Sequence, residues 1–272
     1  MKVSVFFDHI LQAQEQTGKS LEELLKGVYQ AGIEAVEINL DYLGSHGELL
    51  DLFQQTGLKV SCIYEFYDMG RSEEMEKVHR HIETAVKAGA ERILVVPGFL
   101  EGDAAERMQN AIPKEQTAEE FFDSHPEILR MKEGLSHAAV SGKEKGVLVT
   151  VEDFDDRNSP LSGMHGIQWF LKQIPELSYT LDTGNYLFYG ESVLDALELL
   201  KERIVHVHCK DRRRGDNASV RIGSGYIPFE EILKKLRLQG YDGYFAVEHF
   251  DVPEQEVCIR QSVDFLKKLE GV

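Results

Sequence analysis

The chain has 272 residues and carries 30 Lys and Arg against 47 Asp and Glu, a net charge of −17. Nucleic-acid affinity comes largely from lysine and arginine displacing counterions, so this balance argues against a nucleic-acid partner and for a small-molecule site. No apolar run approaches the roughly 18 residues of a membrane span, and Met1 to Asp8 is too short and too soon acidic for a secretory signal, so a soluble cytoplasmic protein with no membrane partner is expected.

Val3 to Phe7 reads as the first strand. Ser20-Leu21-Glu22-Glu23 is a capping box that starts a helix running to Ala31 and stopping at Gly32. Ala35 to Asn39 is the second strand, and the order helix, glycine, strand recurs at Gly57 before Lys59–Tyr64, Gly89 before Arg92–Val96, Gly146 before Val147–Glu152 and Gly240 before Gly243–Glu248. Two further strands, Leu177–Asp182 and Ile204–Asp211, complete eight. Helical spacing is found over about His46–Thr56, Ser72–Ala88, Thr117–Lys145, His165–Gln173, Glu191–Leu200, Pro228–Gln239 and Glu254–Leu269. Strict alternation implies a parallel sheet with right-handed crossovers, and eight units at this length predict one α/β domain over residues 1–272, a closed (β/α)8 TIM barrel. No G-x-G-x-x-G follows a strand, which weakens the open doubly wound alternative.

Pro97–Glu120 follows the fourth strand and reads either as a flap over the barrel mouth or as an ordinary insertion. Cys62, Cys209 and Cys258 lack metal spacing and are expected as buried free thiols. Trp169 is expected to pack a helix on the barrel, and His79 and His81 to lie on a helix surface.

Four strands deliver a polar ligand at their C-terminal ends: Glu152, Asp182, His208 and Glu248. Three carboxylates and an imidazole suit one divalent ion at a barrel mouth, with manganese, magnesium, cobalt and zinc all compatible. His206 shares the face of His208 one layer deeper and is expected as a supporting histidine.

These motifs resemble the sugar isomerase/epimerase group of the xylose-isomerase-like TIM barrels, a group that includes tagatose/psicose 3-epimerases and inosose dehydratase. The resemblance rests on Val151-Glu152, Leu181-Asp182-Thr183-Gly184, His206-Val207-His208 with Lys210-Asp211, the turn Gly223 to Phe229, and Val247-Glu248. It implies that Glu152, Asp182, His208 and Glu248 bind the metal, manganese foremost, and that Glu152 and Glu248 are the acid/base pair. The implied activity is a metal-dependent ketose epimerase or aldose/ketose isomerase working through an enediolate on a small sugar or polyol-derived substrate. A dehydratase or lyase of an inosose or keto-sugar is the nearest alternative, and a non-catalytic sugar-binding protein is another. Barrels of this group often pair, so a homo-oligomer is compatible. Where many members carry Asp-x-x-His after the sixth strand, this chain has Asn185, which speaks against the endonuclease IV branch and leaves a substrate-positioning role. Arg214, from the only basic cluster, and His9, Glu65 and Asp211 are the further candidate substrate contacts. Glu37, ending the second strand, is assigned to the barrel's internal network.

Overall fold

The computed structural model describes residues 1–44, 47–112 and 115–270. Eight strands run parallel: β1 Lys2–Phe6, β2 Ala35–Asn39, β3 Lys59–Phe66, β4 Arg92–Val96, β5 Leu148–Glu152, β6 Ser178–Asp182, β7 Ile204–Arg212 and β8 Tyr244–Glu248. Each pairs with the next in chain order, and β8 pairs with β1, so the sheet closes and leaves no barrel edge. This is the (β/α)8 barrel expected from the alternation. A two-residue strand, Ser219–Val220, folds back antiparallel on the end of β7.

Alternation along each strand separates two environments. Val3 and Val5, Val36 and Ile38, Val149 and Val151, and Phe245 and Val247 face the helices and form the apolar shell. Their neighbours face inward: Phe6 meets His208 edge-on, Thr150 Oγ1 lies 2.9 Å from Thr180 Oγ1, and Glu37 reaches across to β7. The interior is therefore polar toward the mouth, and the apolar energy of the fold sits between barrel and helices.

The capping box forms as read, with Ser20 and Glu23 bonding reciprocally at the start of the helix Leu21–Gln30. Several helices differ from expectation. A helix not expected, Phe7–Thr17, begins directly at the end of β1 and buries Phe7, His9, Ile10 and Ala13. The segment Pro97–Glu120, read as a flap or an ordinary insertion, holds the helix Gly102–Ala111 and the start of the helix Glu115–Ser124. The single helix expected over Thr117–Lys145 is broken, because Pro126 forces His125 out of the helical region (ψ 122°) and starts a new helix, Pro126–Glu144. His46, Pro113 and Lys114, which began one expected helix and lay within Pro97–Glu120, fall outside the described residues, as do Gly271 and Val272. Trp169 belongs to the common core and also joins helix to helix: its ring lies 5.4 Å from that of Phe122 and its N–H donates to Asp123. His81 is not on the surface. It is fully buried, its Nδ1 accepting from the Tyr67 hydroxyl and its Nε2 donating to the Ile63 carbonyl. Cys62 and Cys209 are buried free thiols, whereas Cys258 is only half-buried.

Candidate functional site

His208 is the centre of the barrel mouth. Its Nδ1 lies 2.9 Å from Glu152 Oε2 and 3.3 Å from Glu248 Oε2, so residues from β5 and β8 converge on one nitrogen. Its other nitrogen, Nε2, donates to Glu37 Oε1 at 3.1 Å, while Glu37 Oε2 accepts from His206 Nε2 at 2.7 Å. Glu37 thus fixes the ring so that Nδ1 faces the mouth. Burial opposes charge on both partners, yet the pairing wins: Glu37 and Glu152 hold the His208 imidazolium well above its ordinary range, and His208 and His206 hold the Glu37 carboxyl well below its own. Burial pushes His206 down to about 4 against the pull of Glu37.

Asp182 ends β6 with both oxygens committed differently. Oδ1 accepts the backbone N–H groups of Gly184 and Asn185 at 2.7 and 2.8 Å, and Oδ2 faces the Lys210 ammonium at 3.2 Å. Burial lifts its carboxyl to about 7, with Lys210 opposing. Glu152 is raised, first by burial, while Glu248 is held low because Lys210, 2.6 Å from its Oε1, and His208 outweigh its burial. The two glutamates therefore differ in proton affinity.

Glu152, Asp182 and His208 each present one atom within 4.8 Å of the others. Asp182 Oδ2 and Glu248 Oε2 are buried without a hydrogen bond of their own. Glu37, His206 and His208 form a second such trio, but there Glu37 is already spent on the two imidazoles. Three buried carboxylates crowding one imidazole, with lone pairs left over, fit a divalent cation; the residues that would hold it are Glu152, Asp182, His208 and Glu248.

The remaining expected residues are placed differently. Asn185 is buried with both side-chain ends in use: Nδ2 donates to the Asp153 carbonyl, and Oδ1 accepts from Lys210 at 3.0 Å and Arg212 at 2.8 Å. It orients the cations of the site instead of offering a free group to substrate. Arg214 is exposed and lies over the Tyr226 ring, away from the carboxylates. The arginine that turns in is Arg212, which bonds Asp155, Asn185 and the Gly184 and Asn217 carbonyls and clamps the β6 and β7 loops together. Asp211 points away from the mouth and accepts the N–H groups of Arg212, Gly223, Gly225 and Ile227, anchoring the turn that follows. A Cβ on Gly225 would lie 2.2 Å from Asp211 Oδ1, which explains the glycine there. Glu65 faces outward, where it meets Lys77 at 3.1 Å. His9 is fully buried, stacked on His249 and accepting its backbone N–H, so it props the end of β8.

Two features went unread in the sequence. Lys210 faces inward by the same period of two that aligns His206 and His208, a signal present but not used. A chain of aromatic rings, Phe250, Phe6, Tyr64, Phe66, Phe154 and Phe99, has successive centroids 5.4–6.3 Å apart and reaches the site through Phe6, which packs edge-on against His208. Tyr64 and Phe66, inward on β3, hold the place expected of Glu65.

The family model described as the xylose isomerase-like TIM barrel matches residues 25–269. An uncharacterized protein of Methanocaldococcus jannaschii is 24% identical over 185 residues, covering 65% of this chain and 57% of its own. An inosose dehydratase of Clostridium perfringens is 27% identical over 157 residues, 51% of each chain. The chain thus spans a little over half the length of these curated relatives. Among solved structures, the probable 3-DHS dehydratase AsbF of Bacillus anthracis superposes with a TM-score of 0.75 at 16% identity, covering 98% of this chain and 99% of its own. A D-tagatose 3-epimerase-like protein gives 0.74 at 22%, covering 100% and 97%. The IOLI protein, solved with a bound zinc atom, gives 0.73 at 16%, covering 99% and 96%. At these identities the structural likeness carries the fold.

Proposed function

Because the chain belongs to the xylose isomerase-like TIM-barrel family, we propose that it is a metal-dependent enzyme that moves a proton on the carbon beside the carbonyl of a small polyhydroxylated substrate, as a ketose epimerase or aldose/ketose isomerase. The observation that carries this reading is the convergence of Glu152 and Glu248, from strands on different sides of the mouth, on the same His208 nitrogen at 2.9 and 3.3 Å. Epimerisation needs one base on each face of a planar intermediate, and the proposal assigns that pair to Glu152 and Glu248, carried by β5 and β8.

A divalent ion held by Glu152, Asp182, His208 and Glu248 would polarise the substrate carbonyl and acidify the adjacent C–H. The D-tagatose 3-epimerase-like neighbour and the zinc bound to the IOLI protein favour this chemistry, manganese being the first ion to test. Glu152 and Glu248 are the two carboxylates that exchange the proton in this reading, and Lys210, 2.6 Å from Glu248 Oε1, keeps Glu248 ionised. Lys210 and His208 hold these carboxylates in place. The aromatic rings suit the C–H face of a sugar or cyclitol and keep water from the intermediate.

A dehydratase is the second reading. It is favoured by the Lys210 ammonium among the reacting carboxylates, a fixed positive charge beside which a hydroxyl can depart, and by the inosose dehydratase and AsbF likenesses. Proton NMR of ketoses and inososes in D2O with added Mg2+ separates the two. Deuterium entering beside the carbonyl, reduced by about 10²- to 10⁴-fold in Glu152→Gln and Glu248→Gln, supports proton transfer. Loss of water to a dione or enone moves the assignment to dehydratase, and no exchange with any substrate of the panel sinks the epimerase reading for it.

A further inference from the structure

Outside the barrel, the helix Met75–Ala88 packs beside the helix Pro126–Glu144, and each presents one exposed histidine to the seam. His79 Nε2 and His137 Nε2 lie 3.4 Å apart, with ring planes inclined at 52° and centroids 5.5 Å apart. The pair makes at most a long N–H···N hydrogen bond in the metal-free chain, and the inclination is not that of a stack. The separation does match the nitrogen spacing around a tetrahedral ion: two Zn–N bonds of about 2.05 Å at the tetrahedral angle place the nitrogens about 3.3 Å apart. Neither histidine belongs to a cluster of three metal-binding groups among the described residues, so the protein supplies two ligands and leaves the other positions to water.

We propose that His79 and His137 form a surface site for a divalent transition ion of the kind imidazole prefers (zinc, nickel or copper) that ties these two helices together. Magnesium, which favours oxygen ligands, does not bind there. The site is separate from the barrel mouth and does not depend on the proposed activity.

The test counts zinc bound to the full chain by equilibrium dialysis, in the wild type, His79→Gln, His137→Gln and Asp182→Asn. Both histidines are exposed, so their variants retain the fold, which melting of the metal-free proteins verifies. The expected result is that each histidine substitution removes the same single equivalent, that Asp182→Asn does not remove it, and that substoichiometric Ni2+ broadens the His79 and His137 ring resonances together. A zinc count unchanged by either histidine substitution, or lowered by one and not the other, overturns the proposal. If Asp182→Asn removes nothing while the histidine variants each lose one, the surface site stands and the barrel's metal reading fails.

Discussion

Glu37 is buried between two imidazoles and gives His208 a direction. A carboxylate donated to by Nε2–H turns Nδ1 toward the mouth, where a metal ion would take the place of its proton, and partners of this kind typically govern metal affinity by about 10- to 100-fold. Glu37→Gln keeps the volume and removes the charge. Its expected effect is a 10- to 100-fold weaker manganese dissociation constant by titration calorimetry, with the barrel still folded by circular dichroism; unchanged affinity would show that Glu37 serves packing alone. The candidate residues that moved follow one rule. Glu65 lies out of phase with the inward residues of β3, whereas Lys210 lies in phase with His206 and His208, so counting by two along each strand separates pocket residues from outward ones. Counting places Arg212 inward as well, but it does not say whether the polar atoms of Arg212 or Asn185 remain free, because their partners across the loops decide that.

At the scale of elements, strands were easier to read than helices. Strand limits agree within about two residues because apolar and polar alternation is local. The helix Phe7–Thr17 was missed because its start has no polar cap: Phe6, the last strand residue, occupies the cap position. His81 shows the same limit, since its helix reads as charged and only the contact with β3 buries it. That burial pushes its pKa down from 6.5 to about 3, so the unfolded chain binds a proton that the folded chain refuses throughout this interval. Stability from this group is complete above about pH 6.5 and is lost as pH falls toward the folded value, by up to about 1.4 kcal/mol per pH unit. Urea unfolding of wild type and His81→Gln at about pH 6 and about pH 5 should show the wild type losing stability faster by roughly that amount; parallel losses would mean that His81 takes up its proton without unfolding.

For the whole molecule, closure of eight strands brings together acids that are costly to hold side by side. Asp182, Glu152 and Glu248 sit within one mouth, with Lys210 and His208 as their cations. An ion that binds only the folded chain adds stability by mass action, about 2.7 kcal/mol at a hundredfold excess over its dissociation constant. Adding Mn2+ after chelation should raise the melting temperature by several degrees in the wild type and not in Asp182→Asn, read by differential scanning calorimetry. An equal rise in both would place the stabilising ion elsewhere.

The sequence alone determined the barrel, the order of its strands and the four residues at their ends. Helix, glycine and strand alternate locally, and the inward residues toward a strand's C-terminal end lie at the mouth. Tertiary structure alone decided which groups meet there. Glu37 and His208 are 171 residues apart and touch only after closure. The same closure uses up Asn185, Arg212 and Asp211 in the scaffold, turns Lys210 onto Asp182 and Glu248, and gathers aromatic rings from two strands and three distant loops. Partner choice among buried charges depends on distance and desolvation in the closed barrel, and neither quantity is written in the order of residues.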